Sequence, residues 1–160
     1  MNSKSNNRRA FLTGTLIGLA GSPLAGLPAS AETPRKANLT GLSPSGAPAA
    51  DNGYTPGIAV EARKLLFVSG QGPRDRKADM ESQMRQTLEA IAKVLEAGGA
   101  SMKDIVSLRC YFVNIARDLP VFRKVRKEYL SKPYPAATAV GVTALSMPDL
   151  QIEIEAVAAL

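Results

Sequence analysis

From Met80 onward the apolar side chains recur at steps of three and four: Met80, Met84, Leu88, Ile91 and Leu95. That spacing buries one face of a helix and predicts one from Asp79 to Gly98-Gly99, where two glycines stop it. The two methionines read as core on this face rather than as a cofactor box. A second stripe, Leu119, Phe122, Val125 and Tyr129, predicts a helix from Asp118 that ends near Pro133. Elsewhere the period is two or the runs are short. Ile58 to Ala62 and Leu65 to Ser69 flank Arg63-Lys64 as the arms of a hairpin would. Ser101 and Asp104 have capping-box spacing ahead of a β-branched and aromatic stretch, Ile105 to Val113, which reads as a strand. Ala137 to Ala144 forms another, and in Gln151 to Ala158 the residues Ile152, Ile154 and Ala156 alternate with Glu153 and Glu155, as on a half-buried strand. The predicted order is ββαβαββ: an α+β fold with a single sheet and two helices on one face.

Before this pattern the chain has a different character. Arg8-Arg9-Ala10-Phe11-Leu12, a mildly apolar stretch from Thr13 to Leu27 and Ala29-Ser30-Ala31 read as a twin-arginine signal cut before Glu32. Five Gly and Pro residues between Gly14 and Gly26 make the stretch a poor membrane helix, although a retained anchor is the alternative. Residues 1–31 are therefore expected to be a removable signal, 32–50 a Pro-, Gly- and Ser-rich linker, and 51–160 the domain. The mature protein is expected in the periplasm or secreted, without a stable membrane anchor. The twin-arginine route carries folded proteins, so folding is expected to precede export.

Composition narrows the chemistry. The formal charge is +6, yet Lys4, Arg8 and Arg9 lie in a signal segment without Asp or Glu; removing them leaves +3. So small a surplus argues against a nucleic-acid partner, which needs clustered cations. The 160 residues include no histidine, which removes His-based catalysis and His-ligated zinc, and neither a metal nor a cofactor is expected. Cys110 is the single cysteine, so no intramolecular disulfide can form, and its apolar strand suggests a buried, inert thiol.

Five pieces, in order, carry a resemblance: Tyr54-x-Pro56-Gly57, Phe67 to Arg74 (FVSGQGPR), the Gln83-to-Gly99 helix, Tyr134 to Thr138 (YPAAT) and Gln151 to Ala158 (QIEIEAVA). Together they resemble the RidA/YjgF family over about Asn52 to Leu160. The resemblance implies a chorismate-mutase-like fold, a homotrimer with a small-molecule cleft between subunits, and cofactor-free hydrolysis of enamines and imines to ketoacids and ammonia. It also implies site residues. Glu153 matches the family's water-activating glutamate; Tyr54, Ser69 and Gly70 match positions lining the cleft; Thr138 matches a small hydroxyl position. A tyrosine offers a ring with one hydroxyl, and a Ser-Gly pair lets backbone amides approach a ligand. The residues alone leave the other reading open, in which Glu153 and Glu155 are solvent-facing or paired carboxylates, Ser69-Gly70 is a strand end and Thr138 is a plain strand residue.

The chain departs from the family where it matters. Active imine-hydrolysing members have an arginine where this chain has Ala137, and alanine offers neither charge nor donor to a substrate carboxylate. Losing such a bidentate contact costs about 2–5 kcal/mol, or ~30-fold to several thousand-fold in kcat/KM. Arg123 stands where the family commonly has a cleft-side asparagine. It either takes over the cationic role or is one more solvated helix residue beside Arg117, Lys124, Arg126 and Lys127. Two functions follow: an enamine/imine deaminase with altered substrate binding, or a noncatalytic trimer that binds a small molecule or a protein.

Overall fold

The computed structural model describes residues 36–49 and 53–160; the twin-arginine segment lies outside them. Four strands form a mixed sheet: β3 (Leu65–Gln71), β4 (Ile105–Phe112), β5 (Ala136–Gly141) and β6 (Ile152–Ala159), in the order β3-β6-β4-β5. Only β4 and β5 run parallel. Helix α1 (Met80–Ala97) packs on β3 and β6, and α2 (Ile115–Tyr129) on β4 and β5. The α+β class with two helices on the sheet is as expected.

The core explains the period of each element. Met84, Leu88, Ile91 and Leu95 of α1 and Phe122 and Val125 of α2 are fully buried against Leu108, Cys110 and Phe112 of β4 and Ile152 and Ile154 of β6. Phe112 and Phe122 meet edge to face, with centroids 5.5 Å apart, which ties α2 to the sheet. At the start of α1, Asp79 accepts from the Ser82 amide at 2.9 Å; at its end stands Gly98, where an added Cβ would press into the Leu66 side chain. The capping box is present as well: Asp104 accepts from the Ser101 amide at 2.8 Å and from its hydroxyl at 2.7 Å, across one 3-10 turn.

Three expectations need correction. The segment before β3 does not pair with it: β2 (Gly57–Glu61) is antiparallel to β1 (Asn38–Leu42), and these two form a separate sheet. Part of the expected linker is therefore a strand. Four of the five β1 side chains are exposed, so it owes its place to backbone pairing with β2 and leaves no apolar alternation to read. Finally, α2 begins three residues earlier than expected, because Asn114 caps it by accepting from the Arg117 amide. Asp118 sits inside the first turn instead, fully buried and held by Arg117 at 2.6 Å.

Candidate functional site

Strand β5 is an edge strand, and α2 crosses beside it. On α2 the residues Leu119, Arg123 and Arg126 are spaced by four and three, so they share a stripe next to the core stripe of Phe122 and Val125. That stripe, together with Tyr54, Ala137, Thr138 and Ala139, lines a cavity of about 360 Å³. Tyr54 is brought there by its neighbour: the Thr55 amide donates to the Pro135 carbonyl at 3.1 Å, fastening the segment to the entry of β5. Pro48 and the buried Cys110 complete the wall. Burial pushes the Cys110 thiol up to about 12, so it is a protonated wall atom at neutral pH.

The two arginines differ in setting. Arg123 is exposed at the rim. Arg126 is 5% exposed, with its guanidinium carbon 5.4 Å from the Phe122 ring centroid. Its reading as a solvated helix residue is overturned by this stacking, which lets a flat, weakly hydrated cation be buried. Burial first, and repulsion from Arg123 after it, lower the pKa of Arg126 from its ordinary value. Gly53, at φ +75°, makes room: a Cβ there would lie 2.8 Å from Arg126 Nε. In the sequence, the spacing of Arg126 from Leu119 and Arg123 was the available sign, masked by the stronger stripe of Phe122, Val125 and Tyr129.

The other candidates lie on the helix-free face of the sheet. Between Val68 and Gln71 the pairing of β3 with β6 is interrupted, and the bulge holds Ser69 and Gly70. Gly70 lies directly on the Glu153 carboxylate: a Cβ at Gly70 would stand 2.7 Å from Glu153 Cδ and 2.9 Å from its Cγ. Glu155 accepts from Arg109 at 2.8 Å, whereas among the described residues no ion pair or hydrogen bond holds the Glu153 carboxylate. Ser69 lines a second recess of about 330 Å³ with Phe67, Arg109 and Glu155. Within one chain the candidates thus fall into two groups: Tyr54, Arg123 and Thr138 around the Ala137 cavity, and Ser69, Gly70 and Glu153 on the open sheet face.

Known proteins share this chain's sequence and architecture. Residues 44–160 match the family model described as endoribonuclease L-PSP. A 3-aminoacrylate deaminase, RutC, of Acinetobacter baylyi is 35% identical over 123 residues, covering 73% of this chain and 94% of its own. A 2-iminobutanoate/2-iminopropanoate deaminase of Salmonella typhimurium is 33% identical over 128 residues, with the same coverage. Among solved structures, a Rid-family protein of unknown function from Yersinia pestis superposes with a TM-score of 0.67 at 28% identity, over 77% of this chain and 99% of its own. The match over 44–160 and the shared architecture settle the lineage: the chain belongs to the endoribonuclease L-PSP (RidA/YjgF) family.

Proposed function

We propose that the protein is an exported enamine/imine deaminase in which Arg123, on α2, binds the substrate carboxylate in place of the arginine lost at Ala137. The observation that carries this reading is that Arg123 and Ala137 line one cavity, together with Tyr54 and the solvent-poor Arg126. A guanidinium reaching the same space from a different element can hold the same anion. Two relatives bearing the names of imine and enamine deaminases support the reaction class.

The chemistry is hydrolysis. Water adds to the carbon of the C=N bond, the resulting carbinolamine loses its C–N bond, and a ketone and ammonia leave. An enamine enters the same path once its carbon is protonated to the imine. Glu153 takes the water proton and returns it to the departing nitrogen. Its carboxylate, unheld by any cation among the described residues, is suited to such a role where Glu155, paired with Arg109, is not.

For Glu153, Gly70 and Ser69 to meet a substrate held by Arg123, a second copy is needed, and a homotrimer supplies it. In support, the helix-free sheet face leaves Phe67 73% and Leu65 52% exposed, an apolar surface that a partner copy would cover. The twin-arginine pattern at Arg8-Arg9 supports a periplasmic location for this trimer. RNA cleavage, which the family description names, finds less support: the chain has no histidine and a charge of only +3 outside its first 31 residues.

A second reading is favoured by Ala137 itself, which removes the family's anion donor: a noncatalytic trimer that only binds its ligand. Ammonia release by the mature protein separates the two. Turnover of a carboxylated imine, with little for its carboxamide, supports the deaminase; no release from either, with binding retained, supports the binding protein.

A further inference from the structure

The cavity beside Ala137 is larger and more apolar than a small imino acid needs. Ala137 and Ala139 project to the same side of β5, opposite Leu108 and Cys110 of β4 in register. Leu119 meets them from α2, and Pro48 stands at the edge. These side chains bring methyls, a protonated thiol and aliphatic carbons to one wall, while the cations Arg123 and Arg126 both come from α2. At about 360 Å³ the space falls within the range that holds drug-sized ligands, ~300–1,000 Å³. A three-carbon imino acid would leave most of it to water lying on apolar walls.

Resting on the deaminase reading, we propose that the cavity selects carboxylated imines with a bulky apolar side chain, seated on Ala137, Ala139, Leu119 and Cys110 while Arg123 holds the carboxylate. The shortening of residue 137 to a methyl group then has a positive consequence, because it opens the volume that the side chain fills. Hydrolysis is unchanged: water adds at C=N, the C–N bond breaks, and a branched ketoacid and ammonia leave. Each buried methylene raises kcat/KM about fourfold, so a branched four-carbon side chain in place of a methyl group gives at least a tenfold preference.

The test compares the imines of leucine and alanine, each generated in situ by an amino-acid oxidase, with wild type and with Ala139→Leu, which fills the apolar wall. Ala139→Val is the smaller filling if the leucine variant does not fold. At least a tenfold preference for the leucine imine, collapsing toward one in the filled variant, is the expected result. Equal kcat/KM for the two imines, or a preference that survives the filling, overturns the proposal while leaving the deaminase reading intact. If neither imine turns over, the deaminase reading fails, and calorimetry with 4-methyl-2-oxopentanoate and pyruvate decides the cavity. Tighter binding of the branched acid, lost on filling, supports the inference; equal affinity or no binding overturns it.

Discussion

Gly70 lies so close to Glu153 that no side chain fits between them: a Cβ at residue 70 would stand 2.7 Å from the carboxyl carbon. The β3 bulge brings the backbone this near. The register of β4 and β6 sets Glu153 opposite Tyr111, and Glu155 opposite the Arg109 that engages it. The two carboxylates of the Ile-Glu-Ile-Glu run therefore have different neighbours although they share a face.

Gly70→Ala should consequently act on Glu153 rather than on the fold. The carboxylate is the far end of a flexible side chain and can swing away. Imine turnover is expected to fall about as far as in Glu153→Gln, ~10²–10⁴-fold for the loss of an acid-base group, with a melting temperature near wild type. Retained activity in Gly70→Ala would contradict the role given to Glu153.

Cys110 is 1% exposed and its thiol is pushed up to about 12. In the folded protein at pH 8 it should resist a thiol reagent such as Ellman's, and one thiol per chain should react in denaturant. The rate of colour development under the two conditions checks this.

Stability should be lost on the acid side. Hydrogen bonds from Ser82 lower the pKa of Asp79, and Arg85 lowers those of Glu81 and Glu128, from ordinary values of 3.8 for Asp79 and 4.5 for the two glutamates. Carboxylates depressed in the folded state contribute fully above those ordinary values, and the contribution disappears as pH falls through the lower, folded ones. Urea midpoints measured from pH 7 to pH 3 should decline in this window. In Arg85→Gln, which frees Glu128 and leaves Glu81 with Lys124 alone, the decline should be shallower; an identical slope would argue that the Arg85 cluster contributes nothing, as exposed ion pairs sometimes do.

How much of this was legible in the sequence depended on burial. Helix α1 and strand β6 were, because each has one face in the core and its period is written in Met84 to Leu95 and in Ile152 to Ala156. Strand β1 was not, since its exposed side chains carry no alternation. The start of α2 was misplaced because two capping residues, Asn114 and Asp118, lie four apart, and only the backbone decides which one caps. Tyr54, Arg123 and Thr138 were named from the family pattern and line the same cavity as Ala137. Arg126 escaped because its spacing from Leu119, Phe122 and Arg123 is outweighed by its place among Arg117, Arg123, Lys124 and Lys127, which reads as a solvated face, although Phe122, one turn before it, packs against its guanidinium.

Export can be checked without any substrate. A tagged full-length chain should appear in the periplasmic fraction of a host with the twin-arginine system, and Arg8→Lys with Arg9→Lys should keep it in the cytoplasm. Equal distribution of the two chains would remove the export reading.

The most direct measurement is kcat/KM of Arg123→Gln on the carboxylated imine that wild type turns over fastest. If Arg123 carries the carboxylate, the value falls ~30-fold to several thousand-fold, chiefly through KM, while turnover of the matching carboxamide is unmoved. Turnover of the carboxylated imine equal to wild type would contradict the account, and the anion would have to be held elsewhere.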